Sequence, residues 1–210
     1  MTSVDDLTPV AQDYLKVIWS ATEWGDPPIT TKGLAARLGT TQANVSDTVK
    51  RLAAQGLVTY ESYRPVRLTE RGERLAVAMV RRHRLIEAFL VGVLGYRWDE
   101  VHDEAEALEH AASETLIERI DALLGHPVAD PHGDPIPAAD GTLRHPRAIR
   151  LGEATGRRRV IRVSDADPDL LARCQALGIT PGAEVNAATT PAEVAAAVWV
   201  DGEPPDADPS

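Results

Sequence analysis

The chain has 210 residues, with 22 Lys+Arg against 32 Asp+Glu and a formal charge of −10. Hydrophobic residues at 43% and charged residues at 26% are ordinary globular values and exclude wholesale disorder. The longest nearly apolar run, Leu85 to Gly95, is interrupted by Glu87 and is too short to span a bilayer, so no membrane partner is expected. The N-terminus lacks the pattern of a signal peptide. Cys174 is the only cysteine, which points to a reducing, cytoplasmic compartment.

Taken whole, −10 argues against nucleic acid, but the charge is unevenly spread. Residues 1–72 carry eight basic and eight acidic side chains. Within them Ile29 to Arg71 holds seven basic residues against three acids, so a locally basic stretch sits in an acidic chain. At the other extreme, Asp99 to Glu109 has six acids and no Lys or Arg.

In chain order, Thr8-Pro9 opens a helix whose apolar residues from Val10 to Trp24 follow helical spacing, and Gly25-Asp26-Pro27-Pro28 ends it. Thr31 is expected to cap a short helix, Lys32 to Leu38. After Gly39-Thr40-Thr41 a second helix runs from Gln42 to Gln55 and stops at Gly56. Two short helices joined by a tight turn form a helix-turn-helix. The β-prone Leu57–Glu61, the turn Ser62-Tyr63-Arg64-Pro65 and the alternating Val66–Thr69 then read as a hairpin, which makes the unit a winged helix.

Three helices are expected next, at about Glu73–Val93, Asp99–Ala112 and Ser113–Leu124. Their wide apolar faces suit a small bundle or a dimer interface. His126 to Pro146 is rich in Pro and Gly and reads as a loop or linker, with His126, His132 and His145 solvated. Beyond it, Val160–Val163, Glu184–Ala187 and Val198–Val200 read as strands, with a helical piece from Asp169 to Gly178, and suggest a small β-barrel. Cys174 reads as a small buried residue. The acidic tail Pro204–Ser210 reads as frayed.

The acidic stretch carries the chemistry. His102, Glu106, Glu109 and His110 stand at offsets 0, 4, 7 and 8, one stripe of a helix. The preceding helix supplies His83 and Glu87 at i and i+4. Facing helices that present His/Glu pairs are a standard way to build an internal metal site. A lone His–Glu pair is more often a surface hydrogen bond, but six candidates in two arrays amid Ala and Leu favour a metal. Glu106-x-x-Glu109-His110 superficially resembles an inverted zinc-protease motif, with Glu in place of its first His. No separate base, nucleophile or phosphate loop accompanies it, so a metalloenzyme is the weaker alternative. A metal sensor joined to a DNA-binding head accounts for both charge extremes.

The chain resembles the diphtheria-toxin-repressor family of metal-dependent transcriptional repressors. The carrying segments are Gln12-Asp13-Tyr14-Leu15, Asn44-Val45-Ser46, Val66-Arg67-Leu68-Thr69-Glu70-Arg71-Gly72, Arg82-His83-Arg84-Leu85-Ile86-Glu87, Val101-His102-Asp103-Glu104-Ala105 on to Glu109-His110, and Gly133-Asp134-Pro135-Ile136-Pro137. The resemblance covers residues 7–150 and, more loosely, the C-terminal part. It implies a mainly α protein with small β: a winged helix-turn-helix over 1–72, a helical metal-binding and dimerisation domain over 73–126, a Pro-rich linker over 127–149 and an SH3-like β-barrel over 150–203. It implies a homodimer that binds double-stranded operator DNA when metal-loaded and has no enzymatic activity.

By position, Asp13, Glu106, Glu109 and His110 resemble the family's primary metal site, and His83, Glu87 and His102 its ancillary site. Iron-type members carry Met and Cys where this chain has Asp13 and Glu106. Carboxylates suit the harder Mn²⁺, so the resemblance is to the manganese branch, with an Fe²⁺-dependent repressor as the alternative and Zn²⁺ or Co²⁺ as further ions in vitro. Short manganese-type members carry Glu where this chain has Lys16, so separated sites are expected rather than a close two-metal cluster. Asp165, Asp167 or Asp169 is the place for a further ancillary ligand. The expected DNA contacts are Thr40, Thr41, Gln42, Asn44 and Ser46 around the start of the recognition helix, Lys50 and Arg51 along the backbone, and Arg64 at the wing tip.

Overall fold

The computed structural model describes residues 3–61 and 64–203. Ser62 and Tyr63 of the expected wing turn, and the tail 204–210, lie outside the described residues. The chain divides into two compact units. The first comprises Met1–Arg82, Glu109–Ser113 and Pro137–Thr142; the second comprises His83–Leu108, Glu114–Ile136 and Leu143–Ser210.

In the first unit, α1 (Pro9–Glu23) starts where Thr8 Oγ1 accepts from Ala11 N and Pro9 presets the first helical φ. α2 (Thr31–Arg37) and α3 (Gln42–Ala54) form the helix-turn-helix. The cap of α2 is Thr30, not Thr31: its hydroxyl accepts from Gly33 N. Gly56, at φ 70°, closes α3 in the left-handed region that favours glycine. The wing hairpin is short, with β1 (Val58–Thr59) antiparallel to β2 (Arg67–Leu68) and Val58 opposite Leu68.

α4 (Glu70–Gly92) begins three residues earlier than its apolar pattern suggests, because the Thr69 hydroxyl accepts from Gly72 N. Gly72 has no room for a side chain: an added Cβ would lie 1.9 Å from the Leu57 carbonyl oxygen. The core of this unit gathers Leu15, Ile18, Leu34, Val45, Val49, Leu52, Leu57 and Met79.

The second unit takes the rest of α4 and nearly all of α5 (Val101–Glu109), with α6 (Glu114–Leu123). Its C-terminal part is an open four-stranded antiparallel sheet in the order β3-β6-β4-β5. The strands are β3 (Ala148–Arg150), β4 (Arg157–Val163), β5 (Glu184–Asn186) and β6 (Val198–Asp201). α7 (Pro168–Ala176) and α8 (Ala192–Ala195) join the strands.

The expected SH3-like β-barrel is therefore wrong for the described residues. β3 pairs only with β6 and β5 only with β4, so the edges do not meet. Two of the four strands are three residues long, too short to carry the tilt and stagger that closure demands. The core here is Leu151, Val160, Val163, Leu171, Val185, Val198 and Val200, with Cys174 buried among them.

The Pro-rich segment also departs from a solvated loop. Residues 132–137 are buried, and Val163 N donates to the His132 carbonyl. Gly133, at φ 93°, permits this approach: an added Cβ would lie 2.0 Å from the Ile161 carbonyl oxygen.

Candidate metal centres and nucleic-acid interface

In the first unit, α1 buries Tyr14, Leu15 and Ile18 in the core and brings Gln12, Asp13 and Lys16 to an adjoining face. α5 ends at Glu109, so His110 sits in the turn just beyond the helix rather than on it. Asp13, Glu109 and His110 each offer a ligand atom within 4.8 Å of the others. His110 Nε2 is 3.1 Å from Asp13 Oδ1 and 4.0 Å from Glu109 Oε1.

Gln12, buried at 3% exposure, sets the imidazole. Its amide nitrogen donates to the Val4 carbonyl at 2.9 Å, which turns its oxygen toward His110 Nδ1 at 2.7 Å. His110 Nδ1 is thus the donor, and Nε2 presents its lone pair to the Asp13 carboxylate. Two acceptors at that separation call for a cation or a proton between them. Glu109 is fully buried, its Oε1 lies 2.5 Å from Lys16 Nζ, and its carbonyl accepts from Arg82 at 3.4 Å.

The second unit holds a denser cluster. Glu87, on α4, is fully buried. Its Oε1 is 3.0 Å from His83 Nε2 and 3.2 Å from His102 Nδ1. Its Oε2 is 3.7 Å from His132 Nδ1. His132 Nε2 lies 3.0 Å from the Trp98 carbonyl and must donate there, which leaves Nδ1 facing Glu87. Glu87 Oε2 and His132 Nδ1 are buried and make no hydrogen bond among the described residues. A cation between them would satisfy both.

Asp130 completes a second triad with Glu87 and His132. Its Oδ1 is fixed by the backbone N–H groups of His132 and Asp134, at 2.8 and 2.9 Å. Asp165 Oδ2 lies 3.6 Å from His102 Nδ1. Asp167 instead caps α7, and Asp169 is exposed. Glu106 falls in this unit, 3.6 Å from His102 Nε2.

The electrostatics agree with a cation site. Burial pushes the Glu87 carboxyl up, but the charge of His83 and the close approach of the His102 and His132 rings outweigh it and hold the group well below its ordinary range. Burial pushes the His132 ring down, yet the Glu87 carboxylate, with Asp130 and Asp165, raises it to about 10. Burial, with Asp134 and Glu87 nearby, raises Asp130.

His132, Asp130 and the orienting Gln12 were not legible as site residues from the sequence. His132 is wholly buried rather than solvated. A loop has no periodicity to reveal which way its side chains point, so only the Asp130-x-His132 pair beside the buried Gly133 stretch offers a signal.

The residues expected to contact DNA lie at or near the surface of the helix-turn-helix and of the wing beyond it. Thr41, Gln42, Asn44, Lys50, Arg51 and Arg64 are exposed, and Thr40 and Ser46 half-buried. Thr41 caps α3 by accepting from Asn44 N, and Asn44 Nδ2 donates to Thr40 Oγ1. Asp47 is offset by Lys50 at 3.5 Å, an exposed pair of small energetic weight. Among the described residues, no helix is long and apolar enough to cross a membrane.

Residues 6–66 match the model of the iron dependent repressor N-terminal DNA binding domain, and residues 69–138 that of the iron dependent repressor metal binding and dimerisation domain. The iron-dependent repressor IdeR of Mycobacterium leprae is 34% identical over 203 residues, spanning 90% of this chain and 88% of the relative. A solved manganese-dependent transcriptional repressor in complex with manganese is 46% identical with a TM-score of 0.83, over 91% of this chain and 99% of the other. The structure of the manganese regulator SloR is 31% identical, with a TM-score of 0.76 over 94% and 100%. The chain belongs to the diphtheria-toxin-repressor family of metal-dependent, DNA-binding transcriptional repressors.

Proposed function

We propose that this repressor is activated by manganese and controls metal homeostasis genes. The carrying observation is the chemistry of the donor sets, which hold carboxylates and imidazoles and no sulfur. Among the described residues the sulfur atoms, on Met79 and Cys174, lie in the two hydrophobic cores. Hard oxygen donors with imidazole suit Mn²⁺. The 46% identity to a manganese-dependent repressor supports the same reading.

In this reading Asp13, Glu109 and His110 hold one ion, and Glu106, three residues before Glu109 on α5, extends the set by its helical spacing. Glu87, Asp130 and His132, with His83, His102 and Asp165 around them, hold the other. Residues 1–72 bind DNA through Thr40, Thr41, Gln42, Asn44, Ser46, Lys50, Arg51 and Arg64. Residues 73–126 supply the dimer interface, 127–149 a linker and 150–203 a C-terminal domain.

A bound divalent ion supplies positive charge between carboxylates. Without it Lys16 offsets only one of the two negative charges of Asp13 and Glu109, so α1 is held less tightly against the end of α5. With the charge offset, α1 is held and the recognition helix α3 keeps one orientation, a population shift driven by differential affinity. Fe²⁺ is the second reading, favoured by the 34% identity to an iron-dependent repressor.

The test is fluorescence anisotropy of promoter DNA under buffered Mn²⁺, Fe²⁺ or chelator. Mn²⁺ is expected to activate binding at low micromolar levels, and Asp13→Ala to abolish activation while sparing the dimer. Activation by Fe²⁺ alone overturns the manganese assignment, and full binding in chelator overturns metal activation.

A further inference from the structure

Lys16 is 7% exposed and its ammonium lies 2.5 Å from the carboxylate of Glu109, which is 0% exposed. A buried Lys–Glu pair is a weak source of stability, because desolvating both charges offsets most of their attraction. Its position makes another use plain. Lys16 stands three residues after Asp13 on α1, so both side chains project to neighbouring parts of one helix face. Glu109 Oε1, the atom that meets the ammonium, is also the atom 4.0 Å from His110 Nε2.

We propose that Lys16 is a built-in counter-cation of this centre. It competes with the divalent ion for Glu109 and so sets the metal concentration at which the repressor responds. Asp13 and Glu109 carry two negative charges and Lys16 one positive, so the group is half neutralised before any ion arrives. A divalent ion must share the buried Glu109 carboxylate with the ammonium, or displace it, and must sit beside a fixed like charge. The ammonium also keeps buried Glu109 compensated in the metal-free protein, so the site survives without its ion. The threshold is thus raised at the cost of affinity.

This inference rests on the metal-centre reading above, and the experiment separates the two. Mn²⁺ uptake is measured by calorimetric titration of the full chain carrying Glu87→Gln, which silences the other centre, with and without Lys16→Met. Thermal unfolding is followed in chelator and in Mn²⁺. Lys16→Met is expected to bind Mn²⁺ more tightly by roughly tenfold or more, since a like charge has left the site. It is expected to melt lower than its parent in chelator and to gain more from Mn²⁺. Unchanged or weaker Mn²⁺ affinity in Lys16→Met overturns the proposal. So does a Lys16→Met chain that stays unfolded at every Mn²⁺ concentration, because the ion should restore the missing charge. Asp13→Ala in the same Glu87→Gln chain tests the underlying reading. If it takes up Mn²⁺ as its parent does, the centre itself is misassigned, whatever Lys16 does.

Discussion

Gln12 shows how one amide can decide which nitrogen a histidine turns toward a neighbouring carboxylate. Because its nitrogen is committed to the Val4 carbonyl, its oxygen holds the proton on His110 Nδ1 and leaves Nε2 to face Asp13. Gln12→Leu removes the acceptor without much change of volume. We expect it to weaken Mn²⁺ binding at this centre by roughly 10- to 100-fold, the usual range for a partner that orients a ligand. Unchanged affinity in a metal titration contradicts the role.

His132 makes a different demand. Its ring is raised to about 10 in the metal-free protein, against an ordinary value near 6.5. Its contribution to stability is therefore full below about pH 6.5 and is lost as pH rises through about 10. A metal ligand must be neutral, so at pH 8 ion uptake at Glu87, Asp130 and His132 should release about one proton from this ring. Calorimetry in two buffers of different ionisation enthalpy reads that proton. Equal heats in both show that His132 is not a ligand.

At the scale of the element, two glycines fix where segments meet. Gly72 lets the start of α4 pass under the Leu57 carbonyl, and Gly133 lets the Pro-rich segment reach β4. Gly133 carries the heavier constraint, combining a left-handed φ of 93° with a backbone oxygen 2.0 Å from any Cβ. Gly133→Ala should destabilise the protein by about 2 kcal/mol or more, because backbone cannot yield as a side-chain end can. A urea midpoint equal to wild type refutes this. Loss of Mn²⁺ uptake at the Glu87 cluster should accompany the destabilisation, since Asp130 and His132 flank the same turn.

Helices were the legible elements. The sequence located α1, α3, α4, α6 and α7 to within a few residues, and Thr8-Pro9 marked the start of α1, whereas the cap of α3, Thr41, reads in the sequence only as part of a turn. β3, only three residues long, carried no such pattern and was missed. The barrel failed for a related reason: alternation identifies a strand but does not say whether its outer edge finds a partner.

For the whole molecule, a charge of −10 and a DNA-binding activity coexist because the acids are partitioned away from the helix-turn-helix. The basic side chains there are exposed at Lys50, Arg51 and Arg64. Lys50→Gln or Arg64→Gln should lower affinity for operator and non-operator DNA alike, and reduce the salt slope by about 0.9 for each phosphate that is no longer neutralised. Asn44→Ala should instead narrow the gap between operator and non-operator DNA. An unaltered salt slope in Lys50→Gln and Arg64→Gln removes those residues from the interface.

The sequence by itself determined the helix-turn-helix, the family, and the helix that carries His102, Glu106 and Glu109, because each follows from a local period or a motif. The tertiary structure decided what depends on distant segments meeting. It turned His132 from a solvated loop residue into a buried partner of Glu87, 45 positions away. It set Lys16 against Glu109, 93 positions apart, and so put a fixed positive charge beside a candidate metal ligand. Periodicity reports which side of its own element a residue occupies. Only packing reports what stands on the other side, and the charge of a metal centre is settled there.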